Sequence, residues 1–244
     1  MKIALLGYGK MGKEIEQQAL ARKHKIVLIV DENNATTYTL EELAKADVAI
    51  EFSTPASAFG NILKCFEANV PIVVGTTGWL DKLNEVKKIC GEKKQSLFYA
   101  SNYSIGVNVF FEINKKLAQI MNMQPQYDVR MEEIHHTQKL DAPSGTAISL
   151  ANDLIEKMER KNKWVCETVS DTLVSAKPEE VLITALREEH VPGTHTVSYN
   201  SEVDCIEIKH TAHSRKGFAS GAVIAAEWIV GKKGIFGMQD ILKF

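Results

Sequence analysis

The 244 residues are 45% hydrophobic and 25% charged, the proportions of an ordinary globular chain, which speaks against disorder or a fibrous repeat. With 29 Lys and Arg against 31 Asp and Glu the formal charge is -2, so no broad basic field is offered to nucleic acid and no dense cationic run to a membrane surface. Cys65, Cys90, Cys166 and Cys205 are scattered without a C-x-x-C pair, which argues against a disulfide framework or a cysteine zinc site and for reduced thiols in a cytoplasmic protein.

The first strand-like run begins directly after Met1, leaving no room for a signal peptide, and no apolar stretch approaches the length of a membrane span. In chain order, Ile3–Leu6, Ile26–Val30, Val48–Phe52, Ile72–Val74 and Leu97–Tyr99 read as strands. They are bounded by Gly, Asp and Ser and separated by amphipathic segments, the pattern of βα units around a parallel sheet. Thr39 with Glu42 predicts a capping box ahead of Leu43, and Asp81 is expected to cap a helix carrying Leu83, Val86 and Ile89. A doubly wound half is the natural reading of these first hundred or so residues.

After Asn102 the texture changes. Tyr127–Ile134, Val181–Leu186, His195–Tyr199 and Cys205–Lys209 read as strands, with one long helix, Thr146–Lys161, among them. This is an α+β arrangement with a mixed or antiparallel sheet. An Ala-rich apolar helix, Phe218–Val230, is then placed to return to the first domain. The division expected is a dinucleotide-binding domain from residues 1–103 and 216–244 and a substrate and assembly domain from 104–215.

Gly7-Tyr8-Gly9-Lys10-Met11-Gly12 follows the first strand and opens the next helix, and Asp31 ends the second strand. Glycines permit the tight turn and the close approach of a pyrophosphate, the helix start offers free N–H groups, and Asp31 can accept from ribose hydroxyls. A plain structural glycine turn is the competing reading. Glu32, Asn33 and Asn34 follow Asp31, so no cation waits there for a 2′-phosphate and NADH is expected to be preferred; Lys10 keeps NADPH open. Gly75-Thr76-Thr77-Gly78 ends the fourth strand, where ligands of open α/β sheets bind, and its backbone and hydroxyls are expected to face the nicotinamide.

The densest chemistry lies between Glu133 and Ala147. His135, His136 and Lys139 precede a Ser144-Gly145-Thr146 turn and a helix whose apolar face is Ile148, Ala151, Leu154, Ile155 and Met158. N–H groups at a helix start together with hydroxyls form an anion site, so a carboxylate is expected there, close to Lys139. Two bland readings stand beside this one. Ser144 or Thr146 caps the helix while the histidines lie on the surface, or His135 and His136 pair with His210 and His213 around a metal, for which no compact acidic partner is present. His195 and His210 read as structural, and Arg215 taken alone as a surface ion pair.

The run Glu133–Ala147 resembles the signature E-x-H-H-x-x-K-x-D-A-P-S-G-T-A of the 4-hydroxy-tetrahydrodipicolinate reductase family at every fixed position. Gly7–Gly12, Gly75–Gly78, Ala100–Asn108, Pro192–His195, Ser214-Arg215 and Gly237–Leu242 are similar to further family segments. The resemblance implies that His135 donates or accepts a proton and that Lys139 is a second proton donor. It also implies that His136, Gly145, Thr146 and Arg215 hold the substrate. Nucleotide contacts map by it to Gly7–Gly12, Asp31, Gly75–Thr77 and Ala100, Ser101, Asn102 and Tyr103, the last four doubling as a domain hinge. The pyrophosphate loop is one residue shorter than in many members. The implied protein is a homotetrameric NAD(P)H-dependent reductase of diaminopimelate and lysine biosynthesis, with no metal.

The residue types agree with that chemistry. Hydride addition to a conjugated cyclic imine is helped by a positioned Lys or His supplying a proton. Two ring carboxylates need separate sites, one at Lys139 and the Ser144–Thr146 turn, the other at Arg215. The rivals are another two-domain dehydrogenase, of homoserine- or aspartate-dehydrogenase type, and a nucleotide-sensing regulator without turnover.

Overall fold

The computed structural model describes residues 1–168 and 176–243. In chain order the elements are β1 (Lys2–Leu6), α1 (Lys10–Ala21), β2 (Lys25–Val30), α2 (Leu40–Leu43), β3 (Val48–Glu51), α3 (Pro55–Glu67), β4 (Ile72–Val74), α4 (Leu83–Glu92) and β5 (Ser96–Tyr99). There follow α5 (Ile105–Asn122), β6 (Asp128–His135), α6 (Gly145–Lys157), β7 (Lys163–Thr168), β8 (Glu180–Arg187), β9 (Gly193–Asn200), β10 (Cys205–Ala212), α7 (Lys216–Ile229), β11 (Gly234–Phe236) and α8 (Met238–Leu242). The chain divides into one unit of Met1–Ile105 with Arg215–Phe244 and another of Gly106–Ser214.

The first unit is built on a six-stranded sheet in the order β11-β5-β4-β3-β1-β2, parallel throughout. Alternate residues point to opposite faces of a strand, and both faces are covered. Ala4, Leu6, Ala49, Ile72, Val74 and Leu97 pack with Ile62, Cys65 and Phe66 of α3 and Val86 of α4. Ile3, Leu5, Val48, Ile50, Val73 and Phe98 pack with Ile15 and Ala19 of α1 and with Ala222, Val223, Ala226 and Ile229 of α7. Burial on both faces is why these strands read as unbroken apolar runs. The helix expected over Phe218–Val230 does belong to this unit, where Gly221 lets α7 approach: a Cβ there would stand 1.8 Å from the Tyr103 carbonyl oxygen.

Local signals fared unevenly. The Thr39 hydroxyl accepts from Glu42 N at 3.2 Å and the Glu42 carboxylate accepts from Thr39 N at 2.8 Å, so the capping box forms. Asp81 caps nothing. It sits inside a 3-10 turn, Leu80–Lys82, and Lys82 occupies the N-cap of α4 without a side-chain bond. The edge strand β11, too short and too glycine-flanked to be legible alone, is defined by pairing with β5.

The second unit holds a mixed sheet in the order β10-β9-β6-β8-β7, with β9 antiparallel to β6 and β10, and β6, β8 and β7 mutually parallel. Its core joins Val129, Met131, Val181, Ile183, Val197 and Tyr199 of the sheet to Phe110, Ala118 and Met121 of α5 and Leu150, Ala151 and Leu154 of α6. The expectation of one long helix here is corrected, because α5 runs for 18 residues. Its buried stripe, Val107, Phe110, Asn114, Ala118 and Met121, has helical spacing, but Asn114 interrupts the apolar pattern. That buried side chain is satisfied by donating from Nδ2 to the Leu150 carbonyl at 3.1 Å. The helix α6 ends at Lys157 rather than Lys161, because Lys161 turns inward and its ammonium donates to the Asp128 carboxylate and to the Pro178 and Glu180 carbonyls at 2.7–2.9 Å.

Candidate active site

Because the strands of the first unit are parallel, the loops after β1, β2, β3, β4 and β5 leave the sheet at the same edge, where the order reverses between β1 and β3. A cavity of about 840 Å³ opens there, lined by Gly7, Tyr8, Gly9 and Asp31 together with Lys13, Phe52, Ser53, Asn61 and Lys64. Gly7 has φ +101°, and a Cβ there would lie 2.2 Å from the Phe52 carbonyl oxygen. A Cβ at Gly12 would lie 2.3 Å from the Gly7 carbonyl oxygen, whereas one at Gly9 would meet nothing within 4 Å. Two glycines therefore close the turn and the middle one leaves the helix start bare, a cradle that fits a dinucleotide pyrophosphate. Asp31 is held in place by its own loop: its carboxylate accepts from Asn33 N at 2.8 Å, and Asp31 N donates to Asn34 Oδ1 at 2.8 Å.

Other expected cofactor residues take different duties. Lys10 is exposed and Met11 packs into the core, and the lysines on the cavity wall are Lys13 and Lys64. Gly75 is required by Phe52, whose ring would lie 2.1 Å from a Cβ at that position. The Thr76 hydroxyl turns inward to accept from Ser53 N at 2.9 Å, and its carbonyl accepts from Trp79 Nε1 at 2.8 Å, while Thr77 is exposed. Ala100 donates its N–H to Val74 at 3.4 Å, Ser101 is exposed, and Asn102 Oδ1 accepts from Ser104 N at 2.9 Å. The Tyr103 ring is buried between Phe52 and Phe98, and its hydroxyl donates to the Val74 carbonyl at 2.7 Å. The Thr76 hydroxyl and the Tyr103 side chain are thus core fittings rather than groups turned to a ligand.

Sequence reasoning missed Glu51, the last residue of β3. Fully buried, it accepts from the Ser53 N–H at 3.1 Å, from the Ser53 hydroxyl and from Asn61 Nδ2 at 3.4 Å. Burial pushes its pKa up against those hydrogen bonds. An acidic residue closing an apolar strand was the available signal.

In the second unit, β6 alternates so that Val129, Met131, Glu133 and His135 share the buried face. The apolar core thus gives way to chemistry within the last turn of the pleat. Register completes the group: His195 of β9 stands opposite Glu133, and Arg187 of β8 opposite His135. Glu133 is fully buried, and its two oxygens accept from Ser144 N at 3.2 and 3.0 Å. His135 Nδ1 and His195 Nε2 each stand 3.7 Å from Glu133 Oε2, and Arg187 Nη1 reaches Oε1 at 3.5 Å. The two imidazoles meet edge to face at 5.1 Å between centroids.

Electrostatics follow from this packing. Burial would raise the Glu133 pKa, but His195, Ser144 and the charge of His135 together hold it down at about 2. Burial drives the His135 pKa down to about 4, which the attraction of Glu133 only partly opposes while His195, Lys139 and Arg187 add to it. At neutral pH the site therefore holds a carboxylate and a neutral His135. The side-chain Nδ1 of His135 and that of His136 are buried without a hydrogen-bond partner.

Ser144 caps α6, accepting from Ala147 N at 3.1 Å, and its hydroxyl is also bonded to His195 Nε2 at 3.0 Å. The capping reading thus holds for Ser144, whose hydroxyl is committed and buried, while the surface reading of His135 fails. His195, read as structural, lies inside the cluster. Gly145 is exposed at the helix start, Thr146 is half-buried and His136 half-buried. Lys139 pairs with Asp141 at 2.7 and 2.8 Å, its side chain 20% exposed against 63% for Asp141. Arg215 belongs to the other unit, exposed at the start of α7. Among the described residues, the trio that comes within 4.8 Å in ligand-atom spacing is Glu133, His135 and His195, not the pairing with His210 and His213. The Glu133 carboxylate accepts from the Ser144 N–H and from Arg187, while the imidazoles stand 3.7 Å from it.

The family model described as dihydrodipicolinate reductase, N-terminus, matches residues 1–103, and that described as dihydrodipicolinate reductase, C-terminus, matches residues 106–242. The chain is 51% identical over 242 residues to 4-hydroxy-tetrahydrodipicolinate reductase of Christiangramia forsetii, covering 99% of this chain and 98% of the relative. It is 36% identical over 236 residues to that of Akkermansia muciniphila, with 96% and 94% covered. Among solved structures, dipicolinate-bound dihydrodipicolinate reductase from Paenisporosarcina sp. TG-14 superposes with a TM-score of 0.75 at 23% identity over 99% of each chain. An amine dehydrogenase from Mycobacterium smegmatis shares the fold at a TM-score of 0.58 and 10% identity, covering 96% and 94%.

Proposed function

The chain belongs to the dihydrodipicolinate reductase family, and from this we infer that it reduces 4-hydroxy-tetrahydrodipicolinate to tetrahydrodipicolinate with NAD(P)H, with loss of water on the way, in the diaminopimelate and lysine pathway. The observation that carries the reading is that Glu133–Ala147 folds into a buried carboxylate–imidazole cluster with a lysine at its rim, in a chain matched by the family from end to end. Family membership sets aside the other dehydrogenases, and the intact proton-bearing groups set aside a sensor without turnover.

Residues 1–103 and 216–244 hold the dinucleotide and residues 104–215 the substrate. The Gly7–Gly12 loop and the start of α1 receive the pyrophosphate, and Asp31 the adenosine ribose; NADH is the preferred form, because Asp31 and Glu32 repel a 2′-phosphate. The bound dinucleotide supplies the hydride. The chain's own residues bind the ring and manage protons: the start of α6 at Gly145 and Thr146, with His136 and the Lys139 ammonium, holds one carboxylate, and Arg215 the other. His135 is neutral in the free protein, and two substrate carboxylates arriving beside it raise its proton affinity, so it can accept or donate. Lys139 gives up the proton that completes reduction. Ser144 holds His195 and the helix start rather than the substrate itself.

No helix among the described residues is long and apolar enough to cross a membrane, and we place the enzyme in the cytoplasm. It assembles as a homotetramer through the second unit's sheet, whose edge strand β10 is exposed along much of its length. The test is steady-state NADH oxidation with and without freshly generated 4-hydroxy-tetrahydrodipicolinate. Turnover only with the substrate is expected, and none with it would overturn the reading.

A further inference from the structure

Arg187, so far without a role, bridges the Glu133 carboxylate and the loop that carries Lys139. It closes β8 beside His135. Its guanidinium donates from Nη2 to the Asp141 carbonyl at 2.8 Å, from Nε to the Lys139 carbonyl at 3.3 Å and from Nη1 to the Leu186 carbonyl at 2.7 Å, and Nη1 also faces Glu133 Oε1 at 3.5 Å. The two loop carbonyls flank Leu140, which is 97% exposed. A loop whose central apolar residue is out in water is not held by packing. Within the loop, Lys139 N donates to the nearby His136 carbonyl at 3.0 Å.

We propose that Arg187 is a positioning residue: it clamps the 139–141 loop to the end of the sheet and to Glu133, and so fixes where the Lys139 ammonium stands. A planar fork with five donors can span two carbonyls and a carboxylate at once, whereas a lysine ammonium is a single point on a flexible stem. The carboxylate of Glu133, itself anchored by Ser144 N, gives the clamp a fixed base. This rests on Lys139 being the proton donor proposed above, and a misplacement of about 1 Å at such a group can cost about 10²-fold in rate.

The test uses Arg187→Lys and Arg187→Gln in the full chain, with three readouts. Hydrogen exchange should be faster across the peptide spanning residues 136–143 and unchanged in α6 beyond Ala147, reporting the clamp whether or not the enzyme turns over. With substrate saturating, kcat should fall about 10–100-fold while NADH affinity stays within about twofold of the parent. In a Lys139→Met background the same Arg187 substitutions should change kcat by less than about twofold, because residues acting through one another are not additive. Unaltered exchange of the 136–143 peptide in both variants overturns the clamp. Undiminished kcat, or a full additive loss on top of Lys139→Met, overturns its action through Lys139 and leaves Arg187 a fold element only. A wild-type chain that does not turn over refutes the proposed function and with it the catalytic half of this inference, while the exchange result still decides the clamp.

Discussion

Replacing Lys139 with Met separates two things its ammonium does. The thioether keeps most of the stem's length and apolar packing but removes the proton and the charge. In the structure that charge is spent on Asp141, at 2.7 and 2.8 Å. Because Asp141 is 63% exposed, the pair adds about 0–1 kcal/mol to stability, so the melting temperature should drop by no more than about 2–4 °C in a chain of this size. The catalytic loss should be far larger, about 10²–10⁴-fold in kcat, the range for a missing general acid. Freed of its partner, Asp141 also repels an incoming carboxylate. At a separation of about 6 Å and an effective dielectric constant of about 40–80, that repulsion is about 0.7–1.4 kcal/mol, which raises KM by about 3–10-fold. The double variant Lys139→Met with Asp141→Asn should therefore recover the part of the KM rise that Asp141 causes and leave kcat depressed. Steady-state kinetics on both proteins with circular dichroism as a folding control decides the matter. If Lys139→Met keeps near-normal kcat at saturating substrate, the lysine is a binding cation only and His135 is the remaining proton donor.

Thr146→Val should raise KM for the substrate by about tenfold with little change in kcat, as expected for loss of one hydrogen bond made equally in ground and transition states; a loss confined to kcat contradicts the binding role. With Asp31 and Glu32 on the cavity wall, kcat/KM should be higher for NADH than for NADPH, and the reverse order would point to Lys13 or Lys64 as a 2′-phosphate partner. Stability should change with pH through His135 and Glu133. The His135 pKa is lowered to about 4 in the fold from 6.5, so the unfolded chain binds the extra proton between those values and stability is lost as pH falls from 6.5 to 4. The Glu133 pKa is lowered to about 2 from 4.5, so its contribution is lost as pH falls further, from 4.5 to 2. Asp153, raised to about 6 mainly by burial, runs the other way, so the readout is the difference in urea midpoint between the parent and His135→Gln. That difference should shrink as pH falls from 6.5 to 4, and a flat difference would show that His135 is not buried neutral.

The sequence alone was enough for features that are local or periodic. The strands of the first unit are apolar because both faces are covered, and that leaves a mark in one dimension. The turn at Gly7 demands a glycine because a Cβ there would strike the Phe52 carbonyl, and a capping box is written within four residues of Thr39. The helix α5 was hidden because one buried position of its stripe is Asn114, whose amide is satisfied only by Leu150 of another helix. The resemblance maps Tyr103 to the cofactor, and in the structure its hydroxyl donates to the Val74 carbonyl in the core.

The His135 and Lys139 pair stood out because both belong to one run, whereas the groups that tune them come from elsewhere. His195 and Arg187 lie about fifty residues downstream of that run, and nothing local in their strands ties them to it. Only sheet register sets His195 against Glu133 and Arg187 against His135. Burial at that crossing makes the imidazole neutral, while the donors that register and the start of α6 bring to Glu133 keep the carboxylate charged against burial, and both effects belong to the packed sheet and helices, not to any segment taken alone.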